Sequence, residues 1–161
     1  MNIFNHLSIK LTTIILFTML LSTSCEQDNW MDWKVENELW LENNATKEGV
    51  KTSATGLQYK ILSNPDPHGK RPSTSSLVSI TYTGTLIDGT VFDSGTYNQY
   101  LYNSIAGWQE GVRYMRENSD AVFYIPYELA YGEEKKGTEG GGSFIPPYST
   151  LIFKVHLNSV N

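Results

Sequence analysis

Cysteine is almost absent from this chain. Cys25 is the one copy in 161 residues, so no internal disulfide can form. Histidine is nearly as scarce: His6, His68 and His156 offer no pair at metal-ligand spacing, and no serine has a recognisable histidine partner for nucleophilic catalysis. Cations are few and scattered. Twelve Lys and Arg stand against 17 Asp and Glu, a net charge of −5, and the densest basic stretch is Lys70-Arg71. Neutralising phosphates takes clustered cations, so a nucleic-acid partner is not expected. Gly140-Gly141-Gly142 is followed by no Lys-Ser/Thr pair and opens no helix, which removes a phosphate loop. No metal and no cofactor is expected. Long apolar runs are also missing, the fullest being Leu11 to Leu21 (LTTIILFTMLL), too short for a permanent membrane span.

What is present is a globular composition: 40% hydrophobic residues, ten tyrosines and four tryptophans, side chains that bring large buried areas. The length fits one domain with a short extension. Residues 1–24 read as a signal peptide, with Lys10 before the apolar run and small residues after it. Ser22-Thr23-Ser24-Cys25 is similar to the lipobox of bacterial lipoproteins, relaxed in that Leu21 stands one place further from the cysteine than usual. That resemblance implies lipidation of Cys25 and a protein tied to a membrane of the bacterial cell envelope.

Residues 25–55 read as a tether followed by an amphipathic helix. Glu26 to Asp32 is acidic and polar, and a helical pattern runs from about Asn29 to Lys47. Trp30, Trp33 and Trp40 fall on it, with Met31, Val35 and Leu39 forming an i, i+4, i+8 row. Together they make a broad apolar face that needs a covering surface, either this chain's own domain or, as the other reading, a homodimer contact or an envelope surface. Asn43-Asn44 weaken the helix, Gly49 marks its end, and Lys51 to Thr55 follows as a linker.

Alternation then takes over. Leu57/Tyr59/Ile61, Val78/Ile80/Tyr82, Ala121/Phe123/Ile125 and Leu151/Phe153/Val155/Leu157 each read as half-buried strands. Asn64 to Ser76 and Glu133 to Ser143 are loops by composition. Trp108, Val112 and Met115, at i, i+4 and i+7, mark one short helix. The sum is an α+β domain over residues 56–161: an antiparallel β-sheet wrapped around one short helix, with an N-terminal helical extension.

A set of short segments runs through this domain in order. They are Gly56-Leu57-Gln58-Tyr59, Tyr82-Thr83-Gly84, Asp88-Gly89, Val91-Phe92-Asp93-Ser94, Ile105-Ala106-Gly107-Trp108, Ile125-Pro126, Leu129-Ala130-Tyr131-Gly132, Ile145-Pro146-Pro147 and Leu151-Ile152-Phe153. Each alone is weak, but as an ordered set over nearly the whole domain they resemble the FKBP-type immunophilins. The resemblance implies a peptidyl-prolyl cis–trans isomerase acting on proline-containing unfolded or partly folded exported polypeptides. By the same resemblance Trp108 is the pocket floor, and Tyr82, Phe92, Ile105 and Phe153 are its walls. Asp93 would hydrogen-bond Tyr82 or the substrate, Tyr131 would donate its hydroxyl to a substrate carbonyl, and Phe144 and Ile145 would sit at the rim. The Ile105 backbone N–H is a second donor.

The chemistry needs no covalent step. Rotating an amide costs roughly 18–20 kcal/mol because resonance is lost in the twisted state. An apolar pocket that strips water from the carbonyl favours the less polar twisted form, and donors aimed at that geometry add differential binding. Two departures from the family pattern stand out. Only 14 residues, SGTYNQYLYNSIAG, separate Asp93 from Trp108, and they contain no arginine to pair with the aspartate. Tyr97, Tyr100 and Tyr102 are equal candidates for the missing aromatic wall. The loop at Glu133 to Ser143 is longer than usual, at little cost in closure entropy. The alternative reading is a weakly active or non-catalytic chaperone on the same scaffold.

Overall fold

The computed structural model describes residues 26–161, with side chains from Trp30 onward. The signal-like segment and Cys25 lie outside the described residues. The chain divides after Asp32. In the first unit, Glu26–Asp32 are the opening turns of helix α1 (Glu26–Ala45), so the acidic stretch expected as a tether is helical.

The second unit, Trp33–Asn161, holds the rest of α1 and the sheet. Trp33, Asn37, Trp40 and Asn44 recur at i, i+4, i+7 and i+11 and so share a face. Trp33 Nε1 donates to Ser149 Oγ at 3.0 Å, the Thr150 N–H donates to Asn37 Oδ1 at 2.7 Å, and Trp40 lies 5.7 Å from the Tyr124 ring. Asn44 donates to Gln58 Oε1 at 2.9 Å, and Gln58 Nε2 donates to the Leu41 carbonyl at 2.9 Å. Asn37 and Asn44 are fully buried. The expected broad apolar face is thus corrected: the tryptophan row turns inward with two asparagines, whereas Met31, Val35 and Leu39 are about half exposed. Asn44 does not loosen the helix, because its side-chain amide is used by Gln58 rather than by its own backbone.

Six antiparallel strands follow: β1 (Lys51–Thr52), β2 (Gln58–Ser63), β3 (Leu77–Thr85), β4 (Val91–Tyr100), β5 (Asp120–Ile125) and β6 (Leu151–Val160), in spatial order β1-β2-β5-β6-β3-β4. Lys51 and Thr52, expected within a linker, pair with Tyr59 and Gln58 as an edge strand. The alternating residues point to one face: Phe123 stands opposite Phe153, Ala121 opposite Val155 and Tyr82 opposite Val155. Against that face packs α2 (Ala106–Gly111), continued by a 3-10 turn, Val112–Tyr114. Trp108, Val112 and Met115 are all buried against it, each such burial contributing about 1.5–3 kcal/mol. Gly107 permits the contact, since a Cβ there would collide with Ile125. The expected α+β fold, a sheet wrapped around one short helix with an N-terminal helix, is the fold observed.

Candidate active site

The cleft begins with a slip in strand pairing. Along β3–β4 the register runs Thr85↔Val91 and then Gly84↔Asp93, so Phe92 is an extra residue in β4. Such a bulge re-aims the side chains around it. Asp93, Gly95 and Tyr97 now stand opposite Gly84, Tyr82 and Ile80, and opposed residues share a face of the sheet. Phe92 also turns inward, being 6% exposed. The same face therefore carries both Phe92 and Asp93, which simple alternation forbids. Gly84 makes room: a Cβ there would lie 2.6 Å from the Phe92 ring and 2.9 Å from Phe153. Those two rings meet edge to face at 5.5 Å.

Trp108 forms the floor. Its ring is met edge-on by Tyr82 at 5.2 Å, Phe153 at 5.2 Å and Tyr97 at 5.3 Å, arrangements favoured by the ring quadrupoles. The cleft above it has a volume of about 410 Å³, and its lining includes Asp93, Ile105 and Tyr131 besides these rings. The Tyr82 hydroxyl donates to Asp93 Oδ2 at 2.7 Å. Burial, and then this hydrogen bond, push the Tyr82 phenol up to about 12, so it remains a donor across any physiological pH. Burial likewise raises the Tyr97 phenol.

Tyr97 fills the aromatic position that the sequence left open among three tyrosines. Its hydroxyl donates to the Tyr100 carbonyl at 3.0 Å, while Tyr100 and Tyr102 stack on each other at 5.3 Å and stay about half exposed. A 3-10 turn, Leu101–Asn103, then carries the chain to α2. Gln109 Nε2 donates to the Ser104 carbonyl at 2.8 Å and ties the turn to the helix.

Of the residues expected at the site, Tyr82, Asp93, Ile105, Trp108, Tyr131 and Phe153 line this one cleft. Phe92 lies behind Phe153, and Phe144 and Ile145 are outside the lining. Ile145 is 6% exposed and exchanges backbone hydrogen bonds with Lys136. Asn103 and Ser104 line the cleft without having been expected there; the shortened segment that brings them in was visible, its path was not. Several donors are idle. Among the described residues, neither the Ile105 backbone N–H nor the Tyr131 hydroxyl has an acceptor, and Trp108 Nε1 is buried without one.

An antiparallel sheet closed over one short helix, with an aromatic cleft between them, is the architecture of the FKBP class. The family follows from comparison. Residues 69–158 match the FKBP-type peptidyl-prolyl cis–trans isomerase model, and residues 22–61 match the domain found amino-terminal to FKBP-type peptidyl-prolyl isomerases. This chain belongs to the FKBP-type peptidyl-prolyl cis–trans isomerase family. It is 46% identical over 129 residues to the probable FKBP-type isomerase FkpA of Neisseria meningitidis, covering 77% of this chain and 45% of that protein. It is 42% identical over 127 residues to the FKBP-type 22 kDa isomerase of Escherichia coli, covering 76% and 58%. The crystal structure of FkpA from Escherichia coli superposes with a TM-score of 0.71 at 34% identity, over 95% of this chain and 71% of that one. The chain spans about half the length of the curated relatives it matches.

Proposed function

We propose that this chain accelerates cis–trans isomerisation of X-Pro bonds in exported polypeptides. The observation that carries the reading is the Trp108 floor ringed by Tyr82, Tyr97 and Phe153 beside the Tyr82–Asp93 hydrogen bond. The prolyl ring sits on Trp108, between Tyr82, Ile105 and Phe153, with Phe92 buttressing Phe153 and with Phe144 and Ile145 toward the rim. Removing water from the amide favours its twisted form, and the idle Tyr131 hydroxyl and Ile105 N–H supply donors for the carbonyl oxygens. Asp93 holds Tyr82 in place and accepts from the substrate. An assay of isomerisation of a Leu-Pro peptide by the full chain tests this. No acceleration above the uncatalysed rate sinks it and leaves a binding or chaperone module.

Lipidation at Cys25 would hold the domain on an envelope membrane; loss of membrane association in Cys25→Ala is the expected result. The exposed Met31, Val35 and Leu39 row supports self-pairing of two copies through α1. Sedimentation that gives a monomer at micromolar concentration overturns that part.

A further inference from the structure

The segment after Asp93 carries no cation to neutralise it, and this bears on which prolines the cleft takes. Asp93 is the one charged residue in the cleft lining. The ion pairs among the described residues are Lys34–Glu38, Lys136–Glu134 and His156–Asp120, so Asp93 has no cation within 4.0 Å. Nothing in residues 94–107 can supply one, because that stretch contains neither lysine nor arginine. On the cleft wall, Lys136 places its Nζ 5.4 Å from the Tyr131 ring centroid. It is held by Glu134 at 2.7 Å, so its charge is locally cancelled.

Tyr82 does not cancel the charge either. A neutral phenol shares a hydrogen bond with Oδ2, and Oδ1 accepts from no side chain or backbone group among the described residues. An ionised carboxylate has about four lone-pair sites, so most of its accepting capacity is not taken up by Tyr82. Low-dielectric walls focus the field of such a charge into the cleft.

We propose that the cleft selects proline-containing segments with a lysine or arginine next to the proline and disfavours those with an acid there. The proposal rests on the isomerase reading for its kinetic form, but the charge preference is also a property of binding. An exposed pair of this kind changes an affinity by a few-fold, and attraction for lysine compounds with repulsion of glutamate. A Lys-Pro peptide should therefore exceed its Glu-Pro counterpart by about fivefold or more.

The experiment compares Lys-Pro, Leu-Pro and Glu-Pro peptides on the full chain, reading kcat/KM and, separately, affinity from tryptophan fluorescence. Measurements at about 0.01 M and about 1 M ionic strength span screening lengths of roughly 30 Å to 3 Å. The expected result is a Lys-over-Glu ratio that collapses at high salt and in Asp93→Asn, whatever happens to the Leu-Pro rate. Equal values for Lys-Pro and Glu-Pro at low salt, or an undiminished ratio in Asp93→Asn, overturn the proposal. Loss of acceleration on Leu-Pro alone would instead strike the isomerase reading, and the affinities would still decide the charge preference.

Discussion

The cleft and the seam beneath α1 use polar groups in opposite ways. Along the seam, most polar atoms of the buried asparagine and glutamine side chains are spent on partners: Asn37 accepts from Thr150 and donates to the Trp33 carbonyl, and Gln58 bridges Asn44 and Leu41, with only the Asn44 side-chain oxygen left unpaired. In the cleft, aromatic rings are left partly open, and the donors of Tyr131 and Ile105 are unspent. Polar groups consumed internally fix a geometry, since breaking them orphans a desolvated partner. Polar groups left idle beside apolar walls are available to a guest. Rigidity and receptivity are thus assigned to separate places in one small unit.

The contrast breaks most severely at Trp108. Trp108→Ala should cost about 3–5 kcal/mol of stability, read as a lower urea midpoint, together with loss of Leu-Pro isomerisation. The floor is core as well as site, so both readouts should fall together. Asn37→Ala should cost about 1–3 kcal/mol, because the buried Thr150 N–H loses its acceptor. Peptide affinity in the cleft should be unchanged, and a parallel drop in affinity would show that seam and cleft are not separable.

Tyr82→Phe removes a hydroxyl that is part wall and part positioning group. Its expected cost in stability is about 0.5–1.5 kcal/mol, with a larger fall in kcat than in KM. The folded-state phenol lies near 12, above its ordinary 10.0. The stability it lends is therefore present below pH 10 and lost as pH rises from there toward 12. Denaturation midpoints across that window in wild type and Tyr82→Phe should converge as pH rises.

The smallest effect should come from an exposed pair outside both regions. The Ser63 hydroxyl, and then the His156 ring, hold the Asp120 carboxyl below its ordinary 3.8. A lowered acid stabilises the fold above its unfolded value, and that contribution fades as pH falls through the lower folded value. Asp120→Asn should therefore lower stability slightly at neutral pH and flatten the acid limb below about pH 4, so that the two profiles converge in acid.

Much of this was readable from the chain. Period-2 alternation placed β3, β5 and β6, and Trp108, Val112 and Met115 marked the inner helix, because burial on one face leaves a periodic trace. The seam left a misleading trace. Asn37 and Asn44 look solvent-facing, and Met31, Val35 and Leu39 look buried, because hydropathy does not record which amides find partners across 113 residues of chain. Tyr97 was indistinguishable from Tyr100 and Tyr102 because the inward parity of β4 is reset at Phe92, and an added residue in a ladder has no signature in composition.

That one surplus residue also has a bearing on how such a domain can vary. It sets the orientation of Asp93 upstream of everything in residues 94–107. The stretch beyond it can change in length and sequence without disturbing the Tyr82–Asp93 contact. Phe92 thus acts as a splice point between the ladder that sets the Tyr82–Asp93 contact and the segment that follows it.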